Sequence, residues 1–146
     1  MPNIHDILFE KGPHVHSVGP EATVLDATRR MNEHKIGALV VLDGGRVVGM
    51  FTERDVLQRV VAEACFPAEV RIRDVMSTEI VCCNKQTSID DARSIMKTRR
   101  IRHLPVVDED GSLQGLISIG DLNAFALNGH EVTIHMMHEY IQGGVR

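Results

Sequence analysis

The chain is written twice. Ala27, Met31, Ile36 and Leu39 recur 65 residues on as Ala92, Met96, Ile101 and Leu104, and after one extra residue Gly49, Thr52 and Asp55 recur as Gly115, Ser118 and Asp121. A repeat of this length constrains architecture more than composition does, because each copy must find a face on which to bury its apolar side. Two copies are too few for a solenoid, so a closed pseudo-twofold pair is expected, and any pocket on one copy should have a counterpart on the other. Each half is near the lower size limit for independent folding. A shared core follows.

Apolar periodicity and turn signals give each copy the same order. In the first copy an extended segment at 15–18 leads to a helix capped by Thr23, then strands over 39–42 and 47–51 around Asp43-Gly44-Gly45, then a helix from Thr52 through Val61. The second copy predicts a strand at 80–83, a helix over 88–99, strands over 103–107 and 113–117, and a helix from Ser118. The fold class is therefore α+β: two βαββα repeats packed as a pseudo-twofold pair. The implied divisions are an N-terminal helix (1–12), repeat one (13–63), a connector (64–77) with a helical turn near 73–76, repeat two (78–127) and a C-terminal tail helix (128–146).

Composition excludes several functions. One Tyr, no Trp and four Phe give no aromatic platform for single-stranded nucleic acid, and a net charge of −4 gives no basic footprint, so no nucleic-acid partner is expected. No apolar run approaches a membrane span, and the first residues do not read as a signal peptide. Three cysteines, two adjacent at Cys82 and Cys83, make a poor disulfide framework and suit a reducing cytoplasm, with one of the pair buried and one facing out. His135 and His138 share a helix face, but two imidazoles do not make a closed metal site. No nucleophile elbow, phosphate-binding loop or dinucleotide fingerprint is present, so no catalytic residue is assigned.

The chemistry sits in the doubled segment Gly49-Met-Phe-Thr-Glu-Arg-Asp55 and Gly115-Leu-Ile-Ser-Ile-Gly-Asp121. Thr52 and Ser118 fall where a strand gives way to a helix, with Asp55 and Asp121 three residues on, the pattern of a capping box. A cap alone would explain it. The same geometry also suits a nucleotide: backbone N–H groups at a helix start favour phosphate, and an ionised carboxylate accepts both hydrogens of a ribose diol.

These segments, with Ile36-Gly-Ala-Leu-Val-Val41 and Arg100-Ile-Arg-His-Leu-Pro-Val-Val107, resemble a tandem pair of cystathionine-β-synthase-type (CBS) domains of the stand-alone bacterial kind, over roughly residues 13–127. The resemblance implies a non-catalytic regulatory module that requires no cofactor. It binds adenosyl ligands (AMP, ADP, ATP, NAD or S-adenosylmethionine) in two clefts, forms a homodimer and acts on an effector protein the sequence does not name. Asp55 and Asp121 would hold ribose, with Thr52 and Ser118 nearby. Arg102 and His103, with Arg100, would meet phosphates beside the Asp55 cleft, and Arg54 would reach the same phosphates. Gly37-Ala38 stand where Arg102-His103 stand in the other copy, so the Asp121 cleft is expected to lack that charge. The competing reading is a dimerisation or partner-docking module whose clefts are vestigial.

Overall fold

A computed structural model describes residues 2–12 and 14–127. Helix α1 (Ile4–Lys11) opens on Asn3, whose side chain and that of Asp6 cap each other's backbone N–H. In the first copy β1 (Ser17–Val18) leads to α2 (Val24–His34), started by Thr23 and stopped by Lys35 in the left-handed region. Strands β2 (Ala38–Asp43) and β3 (Arg46–Thr52) form a hairpin, and β1 adds to β2 in parallel. Gly44 and Gly45 both have positive φ, which is what a two-residue hairpin turn requires.

The expected helix after Thr52 is present in an altered form. A single turn, α3 (Glu53–Asp55), widens into a π-helical stretch over Val56–Val61. Three of its six residues are β-branched valines, which lose rotamer freedom in a tight α spiral. The connector contributes the short α4 (Ile72–Val75). The second copy then gives α5 (Ile89–Arg99), the hairpin β4 (His103–Val107) and β5 (Leu113–Ser118), and α6 (Ile119–Phe125).

One expected strand is missing. Residues 80–83 reduce to a single parallel bridge, Cys83 to Val106, where the first copy has β1 against β2. Proline explains the difference. Val40 N–H donates to the His16 carbonyl in the first copy, but Pro105 holds the matching place in the second and has no N–H to give. Cys83 is buried and its thiol is pushed up to about 11 by burial, whereas Cys82 is partly exposed. The tail helix expected over 128–146, with His135 and His138, lies outside the described residues. No described helix is long and apolar enough to cross a membrane.

The cores show how the pair closes. One cluster joins α2, β2 and β3 to Ile72 and Val75 of α4, and a second joins α5, β4 and β5 to Ile4, Ile7 and Leu8 of α1. Each copy is thus completed by the short helix that precedes the other copy. A third cluster of Ala38, Val40 and Met50, with Leu113 and Leu116 against it, is the core the two copies share.

Candidate functional site

Both capping boxes form. Thr52 Oγ1 accepts from Asp55 N–H (3.4 Å) while Asp55 Oδ2 accepts from Thr52 N–H (2.9 Å). Ser118 Oγ accepts from Asp121 N–H (3.0 Å) and Asp121 Oδ2 accepts from Ser118 N–H (2.8 Å). The strand ends set this up, since Ala38 lies opposite Thr52 and His103 opposite Ser118 in the two hairpins. The first N–H of each helix is also committed: Glu53 N–H donates to the Gly37 carbonyl (3.0 Å) and Ile119 N–H to that of Arg102 (2.9 Å). Two of the first three N–H groups in each copy therefore serve the fold. The helix starts offer less to an anion than the sequence suggested.

The carboxylates differ in what faces them. Asp55 is 5% exposed, the single charged residue buried to this degree among the described residues. Its Oδ1 accepts from Ser77 Oγ at 3.3 Å, and Arg59 Nε stands 3.6 Å away. The π-helical stretch aims Arg59 so that its guanidinium also donates to the carbonyls of Val75 and Met76 (3.3 and 3.2 Å). Asp121 is more open, and Lys11 Nζ reaches both its Oδ2 and the Leu116 carbonyl at 2.6 Å.

Lys11, the last residue of α1, brings to Asp121 an ammonium that the comparison of Gly37-Ala38 with Arg102-His103 did not include. His103 pairs with Ser118 of its own copy, and its imidazole feels both the Asp121 and Glu53 carboxylates. Arg54 and Arg102 are exposed next to these positions. Arg100 is the left-handed C-cap of α5, matched by Lys35 at the end of α2, which gives it a structural reason to stand there.

Lys11, Arg59 and Ser77 escaped the sequence reading, yet a signal existed. Ile4-His-Asp-Ile-Leu8 is repeated as Ile72-Arg-Asp-Val-Met76 in a register different from the main repeat. Leu8 and Met76 play the same part, packing over Gly115 and Gly49 respectively. After Met76 the chain passes directly to Ser77, whose backbone exchanges two hydrogen bonds with Met50. After Leu8 the helix runs on to Lys11, whose ammonium takes the carbonyl of Leu116 instead.

Burial, reinforced by the Lys11 and Arg102 cations, holds the His103 imidazole below its ordinary 6.5. A base whose folded value lies below the unfolded one stabilises the fold fully above pH 6.5 and loses that contribution as pH falls below it. His103→Gln is therefore expected to flatten the fall in urea midpoint between about pH 7.5 and about pH 5.5. His16, lowered in the same direction, is present in both proteins and cancels. An unchanged pH slope would contradict this account.

The fold and paired boxes define a duplicated α+β module with a hydroxyl and a carboxylate at the start of a helix in each copy. The family model for the CBS domain matches residues 6–62 and again 72–127, and the chain belongs to that family. The chain is 33% identical over 127 residues to the mitochondrial CBS domain-containing protein CBSX3 of Arabidopsis thaliana, covering 84% of this chain and 61%, less than two thirds, of that protein. It is similar to the crystal structure of the CBS-domain containing protein ATU1752 from Agrobacterium tumefaciens (37% identity, TM-score 0.77, 84% of this chain and 97% of that one). The CBS pair of protein MJ0100, solved with 5-methylthioadenosine and S-adenosylmethionine, shares the fold at 20% identity (TM-score 0.76, 86% and 95%). CBS pairs are regulatory modules.

Proposed function

We propose that this CBS pair is a cytoplasmic, homodimeric sensor that binds an adenosyl ligand (AMP, ADP, ATP, NAD or S-adenosylmethionine) and passes its occupancy to an effector protein. The observation that carries the reading is the doubled capping box, in which a hydroxyl and a carboxylate stand together at the end of a strand in both copies. A cap needs only one carboxylate oxygen, and in each box Oδ2 takes the N-cap N–H, so the cap itself leaves Oδ1 unused. Asp55 and Asp121 accept the ribose hydroxyls, Thr52 and Ser118 assist, and His103 with Arg102 lies on the phosphate side. Arg54 stands at the rim. The adenosyl ligands in the MJ0100 structure support this ligand class.

A thermal-shift panel with these five compounds tests it. A ligand at about 100 times its dissociation constant stabilises by about 2.7 kcal/mol, which for a chain of this size raises the midpoint by roughly 5 °C or more. Asp55→Asn and Asp121→Asn together are expected to remove the shift. No shift with any of the five would overturn the sensor reading. It would favour a dimerisation or docking module, for which the exposed Leu57 and Val61, one turn apart on the π-helical stretch, are the supporting feature.

A further inference from the structure

The two carboxylates are covered by different chemistry. Ser77 sits over Asp55 as a neutral hydroxyl whose backbone is fixed to Met50, and Arg59 beside it is anchored on two carbonyls. Asp121 is covered by an ammonium on a flexible four-carbon stem, with 34% of the Lys11 side chain and 24% of that of Asp121 accessible to solvent. Lys11 can carry its charge several ångströms away from its carboxylate by side-chain rotation, whereas Ser77 is short and carries no charge to move.

Resting on the sensor reading, we infer that Lys11 is the specificity residue of the second cleft. In the arrangement seen here it holds Asp121; when a phosphate-bearing adenosyl ligand binds, the ammonium passes to the phosphate and the carboxylate passes to the ribose. A bare nucleoside has no anion to offer. Its diol meets a carboxylate whose charge is already shared with an ammonium 2.6 Å from Oδ2, and drawing the carboxylate from that ammonium leaves the ammonium only the Leu116 carbonyl and water. Charge-assisted hydrogen bonds are roughly twice as strong as neutral ones, so this exchange is unfavourable. A nucleotide trades one charge-assisted bond for another and gains the ribose contact as well. Leu116 O, the second acceptor of Lys11, lies on the strand that leads into Ser118, so the lysine is held close to where ribose would sit and needs only a side-chain rotation to reach outward. Arg102 and Lys11 make this region favourable for an anion, while burial first and then those cations lower the proton affinity of His103.

The test measures dissociation constants for AMP and adenosine by calorimetry in an Asp55→Asn background, which leaves Asp121 as the intact ribose acceptor. Lys11→Met is expected to weaken AMP about tenfold and to tighten adenosine, because Asp121 is uncovered. Lys11→Arg, which keeps the cation, is expected to retain most of the preference for AMP. An AMP-to-adenosine ratio unchanged in Lys11→Met overturns the inference, as does an equal loss for both ligands, which would make Lys11 a structural residue. AMP binding to the wild-type chain but not to the Asp55→Asn chain also overturns it. If the wild-type chain binds no adenosyl compound, the sensor reading fails and the inference fails with it, a result distinct from the other three.

Discussion

Ile4→Ala is expected to lower stability by about 2–5 kcal/mol, the cost of truncating a large aliphatic side chain in a packed core. A residue this near the first position would ordinarily be assumed to matter little. Ile4 is instead fully buried in the core of the second copy, among Ile89, Leu104 and Phe125. Its backbone is tied there too: Ile4 N–H donates to the Thr87 carbonyl, His5 N–H to Lys85, and Ile89 N–H back to Pro2. The helix is thus part of the second copy in all but sequence position. Its counterpart Ile72, equally buried in the first copy, should cost a similar amount when cut to Ala. Urea unfolding of both variants measures this. A loss below about 1 kcal/mol for Ile4→Ala, beside a full loss for Ile72→Ala, would mean that α1 is an accessory rather than a core element.

Gly49→Ala is expected to cost more than Gly115→Ala, by about 1 kcal/mol or more within the usual range for overpacking. A Cβ at Gly49 would stand 2.9 Å from the Ser77 carbonyl oxygen and 2.7 Å from Met76 Sδ. The sulfur can turn away, but the carbonyl is locked by paired hydrogen bonds with Met50, so the connector itself must shift. A Cβ at Gly115 would meet the terminal carbons of Leu8 at 2.6 and 3.1 Å, and a rotamer change relieves most of that. The Gly49 variant has a second consequence, since moving Ser77 withdraws the hydroxyl that Asp55 Oδ1 accepts. Denaturant midpoints for the two variants, measured side by side, decide the order, and equal losses would show that the connector yields as readily as a side chain.

Much of this was legible in the residues. The repeat gave the pseudo-twofold pair, and the Thr52–Asp55 and Ser118–Asp121 spacings gave both capping boxes, because a cap is a local structure that needs no knowledge of the rest of the chain. The lost strand at 80–83 was legible in principle, as Pro105 lies in the partner strand, but its effect depends on knowing which N–H the ladder would have used. The occupants of the carboxylates were harder to see. Lys11 lies 110 residues from Asp121, and nothing in their local sequence relates them. Only the offset echo of Ile4-His-Asp-Ile-Leu8 in the connector hints that the first helix crosses to the second copy. Spacing patterns report neighbours along the chain, whereas these contacts are made by the crossing.

That crossing also sets how the molecule carries load. A pull on α1 is first resisted by its packing in the second copy, and a pull on α4 by its packing in the first. Lys11 closes α1 and grips Asp121, which places one of the two clefts in line with any force arriving through the first helix. Anything tethered ahead of Ile4 would therefore tug on that cleft first.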